Sequence, residues 1–297
     1  MTGKRPRADL GSVEAGGTNI VCAVGSANGE LAERVEFPTT GPGETLLGVV
    51  EFFESKEIVA LGLGWFGPIE VRPSHPRHGV VGPTPKRGWE GVDVLGPMAR
   101  LGVPMALATD VGAAALGEGE WGAAVGLASH VYVTVGTGIG GATVVDGSVL
   151  VGLGHSEMGH VPVARAAGDD FPGVCPFHGD CLEGLASGPA VAARWGSSAE
   201  DLEGDLAVAA TELVAEYVAQ GLRTVVYTIA PERVVVGGGV SRLPGFHAAL
   251  REALVSSLAG YPGLAEHHSE RFVVPPGLGD LAGVKGGLVL ARGLSLR

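Results

Sequence analysis

Cys175, His178 and Cys181 form a Cys-x2-His-x2-Cys run inside "GVCPFHGDCLEG". Soft thiolates with an imidazole suit Zn²⁺, and a structural zinc site takes four such ligands, so one more must come from elsewhere in the chain. The other reading of this run is a pair of free thiols beside a histidine. Three cysteines in 297 residues do not amount to a disulfide framework. Cys22, the third, lies on an apolar strand and reads as plain core.

Two further patterns bear on chemistry. "EAGGTN" (14–19) and "GTGIGG" (136–141) are glycine-threonine turns between β-rich strands. In each case the second strand ends in a turn dipeptide, Asn28-Gly29 or Asp146-Gly147, that leads into a third. Such dipeptides between apolar runs are hairpin signals, and two ordinary hairpins would account for the pattern. Bare backbone N–H groups beside a hydroxyl are also what a phosphate chain requires of a loop. Two such loops suggest two related domains facing each other across a nucleotide. Asp110 is a carboxylate just after an apolar strand, where α/β folds place active groups and where it can accept a proton. It can equally serve as the N-cap of a helix beginning "VGAAALGE".

The elements that must carry these residues alternate. "GETLLGVVEFFESK" and "WEGVDVLGPMARLG" read as helices, and "EIVALGLGWFGPI" contains a buried strand. A strand ending at Thr109-Asp110 precedes an Ala-rich helix. "GPAVAARWG" has Pro189 suited to a helix's first turn, and a long helix is expected from about Ala199 to Ile229. "PERVVVGGGVSRLPGFHAALREALVSSL" is strand, glycine turn and helix, and "GDLAGVKGGLVLARGL" a closing helix. Alternating strands and helices call for an α/β fold. Hydrophobic residues at 45% and charged residues at 18% argue against disorder, and 51 glycines without a collagen-like period indicate tight turns and close backbone approaches. A net charge of −12, with no basic cluster after "GKRPRA" (3–8), disfavours a nucleic-acid partner. No signal peptide or membrane-length apolar span is evident, so a soluble cytoplasmic protein is expected.

Taken in order, "EAGGTN", "FGPIE", "TPKRGW", "TDVGAAALGEGEWG", "GTGIGGATVVDG", "HSEMGH", "CPFHGDCLEGLASGPA", "VVVGGGV" and "GDLAGVKGG" resemble the ROK sugar kinases over nearly the whole chain. Within them the chain is similar to the bacterial zinc-containing fructokinases. The resemblance implies an actin-like ATPase fold of two ribonuclease-H-like domains, with sugar and ATP-Mg in the cleft between them. The implied division is residues 1–115 plus 284–297 against residues 116–283, the larger domain carrying the zinc. A homodimer is the family's habit.

By the same resemblance, Asp110 is the general base that takes the proton from the sugar's 6-hydroxyl. Gly67, Pro68, Thr109, Glu157, His160 and Glu183 join it around the sugar, whose vicinal hydroxyls suit carboxylates. Gly67-Pro68 is otherwise an ordinary turn, and Trp89 is core or a sugar platform. Gly16, Gly17, Thr18 and Asn19, with Thr137, Gly138 and Gly140, resemble the phosphate-facing turns. Gly237, Gly238 and Gly239 resemble the turn beside adenosine, or are a plain strand-to-helix turn. The helix begun by Pro189 could point its N-terminus at the nucleotide. Glu14 resembles the residue assisting Mg²⁺, with a surface strand carboxylate as the other reading. His160 is the first candidate for the fourth zinc ligand because "EMGH" is the family's zinc-linked motif; His155 is second and Asp180 third. His160 could then hold zinc through one ring nitrogen and a sugar hydroxyl through the other.

Three features mark out this chain. The wider family mostly has lysine at Asn19 and asparagine at Gly112, which bears on phosphate and sugar contacts respectively. The cysteine spacing differs from the commoner Cys-x-Cys and matches the fructokinase branch. The implied reaction is phosphorylation of D-fructose to fructose 6-phosphate. Its rivals are a kinase of mannose, glucose or an N-acetylhexosamine, a sugar-binding non-catalytic regulator, and a sugar-responsive repressor. The last is disfavoured by the acidic charge and by the dozen residues before the first strand.

Overall fold

A computed structural model describes residues 9–295 of the chain; the basic run at 3–8 lies outside them. The described residues divide into two compact units. The first contains the chain up to Val125, then Gly147–His155, and then everything from Asp280 onward; the second contains Gly126–Asp146 and Ser156–Gly279. The first break falls at 125, past the expected 115, because one helix runs without interruption across that point.

The first unit is built from β1 (Asp9–Ala15), β2 (Asn19–Gly25), β3 (Leu31–Pro38), α1 (Pro42–Glu54), β4 (Ile58–Trp65), α2 (Leu95–Met98), β5 (Met105–Thr109) and α3 (Asp110–Trp121). Its sheet runs β3-β2-β1-β4-β5: a meander of three antiparallel strands, then two parallel strands added beyond β1. Next come β6 (Ser129–Val135), β7 (Ile139–Val145), the two-residue β8 (Ser148–Val149), α4 (Leu182–Ala186), α5 (Gly188–Trp195), α6 (Gly204–Ile229), β9 (Val234–Gly237), α7 (Phe246–Leu258), β10 (Val273–Val274) and α8 (Ala282–Ser295). The second sheet runs β8-β7-β6-β9-β10, with β6 antiparallel to β7 and parallel to β9. The two orders are the same order, five strands apart. That repeat is the architectural form of the doubled glycine-threonine hairpin.

Each sheet has its own core. Val13, Ile20, Leu61, Leu63 and Trp65 pack with Val49 and Phe53 of α1. Val131, Val133, Val234 and Val236 pack with Val214, Tyr217 and Val218 of α6 and with Leu250 and Leu254 of α7. The closing helix α8 lies on the first sheet, where Ser12 Oγ donates to the Val284 carbonyl at 2.5 Å. A side chain at Gly62 of β4 would collide with the Gly287 carbonyl, so glycine sets how closely helix and strand approach.

Three expected elements differ. "WEGVDVLGPMARLG" holds only the single turn α2 and a 3-10 turn at Ala99–Leu101. Gly91 and Gly102 both have left-handed backbone, and the Asp93 carboxylate accepts from Leu95 N and Gly96 N, so the chain turns where a continuous helix was expected. The long helix starts at Gly204, behind a separate 3-10 turn at Ala199–Asp201. The third strand of the second meander shrinks to β8. Trp89 is fully buried, with its indole N–H on the Thr40 carbonyl at 3.1 Å; it is core and no sugar platform. Cys22 is buried core as expected. Among the described residues, no helix is long and apolar enough to cross a membrane.

Candidate active site

In the first unit, β5 ends on Thr109 and α3 begins on Asp110. The Thr109 hydroxyl accepts from Gly112 N at 3.0 Å and caps the helix. Asp110 is therefore not the cap. Its Oδ1 accepts from its neighbour Val111 N at 2.8 Å, in the first turn of α3. Gly112 sits where a side chain would press on the Thr109 hydroxyl.

Glu14, on β1, senses Asp110. Burial chiefly, and the Asp110 charge next, raise its pKa to about 7. Its Oε2 is buried with no hydrogen-bond partner, and the backbone of Gly283 lies so close that a Cβ there would strike the carboxylate. The surface-carboxylate reading of Glu14 is thereby corrected. A buried, unpartnered oxygen beside a second acid is a place where a hard cation fits by donor chemistry. The adjoining turn is pinned from behind: Gly16 N donates to Asn19 O at 2.9 Å, Thr39 Oγ1 to Gly16 O at 2.9 Å, and Thr39 N to Thr18 O at 2.7 Å. Gly17, Thr18 and Asn19 are exposed, and nothing lies within 4 Å of where a Gly17 side chain would be. Gly67-Pro68, a cis peptide, follows β4; the Ile69 N–H donates to His155 Nε2 at 3.3 Å. His155 thus belongs to the first unit, and Asp180 is taken by Arg165 at 2.9 Å.

In the second unit, the second glycine-threonine turn is closed by Gly136 N on Gly138 O at 2.9 Å, with Thr137 exposed. Gly188 N, at the start of α5, donates to Gly136 O at 2.7 Å, which joins that helix's first turn, with Pro189, to the loop. The backbone N of exposed Gly239 lies 3.8 Å from where a Gly136 side chain would be. Two glycine turns and a helix start therefore share one edge of the sheet. Gly237 is buried as the last residue of β9, and Gly140 is half-buried within β7.

Below this edge four donors converge. His160, Cys175, His178 and Cys181 each offer one ligand atom, and these atoms all lie within 4.8 Å of one another. The Nδ1 of His160 is 3.6 Å from both sulfurs, and His178 Nδ1 is 3.8 Å from Cys175 Sγ. A tetrahedral ion with Zn–N near 2.0 Å and Zn–S near 2.3 Å has edges of roughly 3.3–3.8 Å. The three separations match those edges, and the donor set suits one metal ion. Burial above all, with Cys175 and Glu183 nearby, pushes the Cys181 thiol up to about 11, so an arriving ion must displace a proton there.

His160 is the hinge of the arrangement. While Nδ1 faces the sulfurs, Nε2 is 4.0 Å from Glu183 Oε1, and Glu183 Oε2 accepts from Ile139 N at 2.9 Å. One carboxylate thus links the cysteine-histidine loop to the glycine-threonine turn. His160 gets there because Gly159 lies flat on the Ile139 carbonyl, where any Cβ would collide. Glu157, just before the 3-10 turn Met158–His160, is exposed. The loop from His160 to Cys175 is clamped midway. Asp169 receives both guanidinium nitrogens of Arg194 at 2.6 Å, plus Phe171 N and the Tyr217 hydroxyl. Arg194 holds the Asp169 carboxyl well below the usual carboxylate range. The clamp's contribution to stability is in place at neutral pH and is lost only in strong acid. The exposed Phe177, edge-on to His160, and the Ile139 amide were missed by sequence reasoning. An aromatic inside a metal knuckle was a signal for the first; no sequence signal pairs Glu183 with an amide 44 residues away.

The ROK family profile matches residues 10–293. The chain is 38% identical to a fructokinase of Pediococcus pentosaceus over 284 residues, 95% of this chain and 97% of that one. To a fructokinase of Zymomonas mobilis it is 39% identical over 296 residues, 97% and 98% of the two chains. Among solved structures, the ROK hexokinase of Thermus thermophilus superposes with a TM-score of 0.77 at 29% identity, covering 95% of this chain and 97% of that chain. With a match of that extent and the same strand order repeated in the two sheets, the chain belongs to the ROK family.

Proposed function

We propose that this protein is an ATP-dependent fructokinase that moves the γ-phosphoryl group of ATP to the 6-hydroxyl of D-fructose. The observation that carries the reading is likeness to fructokinases along almost the entire chain. Within the second unit, the pairing of His160 Nε2 with Glu183 supports it as well. Phosphoryl transfer asks a protein for positioning and charge neutralisation more than for covalent chemistry. Asp110 takes the proton of the 6-hydroxyl as that oxygen attacks. By the family resemblance, Thr109, Gly67 and Pro68 contact the sugar, and Glu157, His160 and Glu183 meet its other hydroxyls. The turns at Gly16–Asn19 and Thr137–Gly140 hold the phosphates, with Gly237–Gly239 and the helix start at Pro189 beside the nucleotide.

His160, Cys175, His178 and Cys181 would hold Zn²⁺, which would supply a structural link: the ring of His160 and the first turn of α4, and so the carboxylate of Glu183, would be held in one geometry. Mg²⁺ accompanying ATP would be assisted by Glu14 and would neutralise phosphate charge. The same reading takes the enzyme to be a cytoplasmic homodimer with no nucleic-acid or membrane partner. Product analysis tests it: incubation with ATP and fructose, followed by phosphorus NMR, is expected to show ADP and fructose 6-phosphate in equal amounts. Phosphate on another carbon, or ATP hydrolysis without sugar phosphate, would refute it.

A further inference from the structure

The turn Gly16–Asn19 carries no cation of its own. Asn19 Nδ2 is committed to Glu36 Oε1 at 2.9 Å, and Arg34 pairs with the other oxygen of the same carboxylate at 2.8 Å. A cation reaches the turn from elsewhere. The ammonium of Lys86, 69 residues along the chain, donates to the Gly17 carbonyl, and it lies 5.6 Å from the centre of the Phe66 ring. No carboxylate among the described residues pairs with Lys86.

We propose that Lys86 is a phosphate-contacting residue, which sets its ammonium on the Gly16–Thr18 turn to receive an oxygen of the nucleotide's terminal phosphates. This rests on the reading of that turn as phosphate-facing.

The loop that carries Lys86 is pinned at both ends. Gly82 N donates to Pro68 O at 2.7 Å, and buried Trp89 packs on Trp65 and edge-on against Phe66, with its indole N–H on Thr40 O. The side chain is half-buried while its neighbours Pro85, Arg87 and Gly88 are exposed, so the loop directs this one cation inward. An ammonium has three donors; Gly17 takes one and leaves two for an anion. Burial lowers the pKa of Lys86, and an arriving phosphate offsets that by supplying the counter-charge its surroundings lack. A lysine serving only to pin the loop would gain nothing from being unpaired.

The test compares Lys86→Met and Lys86→Arg with the natural protein, by calorimetric binding of Mg-ATP, adenosine and fructose and by steady-state kinetics. Lys86→Met is expected to weaken Mg-ATP binding about tenfold and to lower kcat about a hundredfold. Adenosine and fructose affinities and the melting temperature should stay unchanged, and Lys86→Arg should retain most of the activity. Equal ATP affinity in Lys86→Met and natural protein would overturn the proposal. So would a loss of fructose binding in its place, or a lower melting temperature with ATP binding intact. If the natural protein phosphorylates no hexose, the fructokinase reading fails while the comparison of ATP with adenosine still decides the role of Lys86.

Discussion

Asp110→Asn is expected to lower kcat by about a thousandfold, within the range general-base removal produces, while fructose binding stays measurable. The structure makes this substitution a clean probe. Thr109 caps α3, and the Asp110 side chain accepts from Val111 N, which an asparagine oxygen also does. Were Asp110 merely a helix-terminal residue, the substitution would lower the melting temperature slightly and leave turnover intact. As the base, it should do the reverse. Near-normal turnover in Asp110→Asn would remove the residue from the chemistry. A side effect is also expected: with the Asp110 charge gone, the pKa of Glu14 should fall, because that charge is among the causes raising it.

Removal of the metal is the second large effect. Elemental analysis should find about one zinc per chain, as a four-ligand site requires. Stripping it, or changing Cys181 to serine, is expected to raise the fructose KM more than it lowers kcat. Glu183 sits two residues after Cys181 in the first turn of α4 and opposite His160 Nε2, so both sugar-side groups lose their support together. Zinc present at about a thousand times its dissociation constant stabilises a fold by about 4 kcal/mol. At 2–4 °C per kcal/mol the stripped protein should melt on the order of 10 °C lower. A metal-free protein that is equally stable and active would sink the structural-zinc claim.

What the sequence made legible was local or periodic. Gly-Thr and Asn-Gly or Asp-Gly turns close within a few residues, so the doubled meander could be read and both sheets contain it. The Cys-x2-His-x2-Cys spacing announced three of the four donors. Choosing between His155 and His160 was a different problem. Five residues apart in the chain, they belong to different compact units, and only His160 brings a ring nitrogen to the sulfurs. The failure at 89–102 has a local cause: apolar spacing predicts a helix, but the left-handed backbone of Gly91 and Gly102 and the Asp93 bonds to the next turn override it. Lys86 on Gly17 and Glu183 on Ile139 had no signal at all. Each contact spans tens of residues and depends on where a pinned loop happens to aim.

The measurement that bears most directly on the assignment is kcat/KM with ATP across fructose, glucose, mannose and N-acetylglucosamine. By the family resemblance, Gly112 stands where the wider family mostly has asparagine, a position that bears on sugar contacts. Fructose is expected to have the highest kcat/KM of the four; a higher value for glucose would contradict the fructokinase assignment.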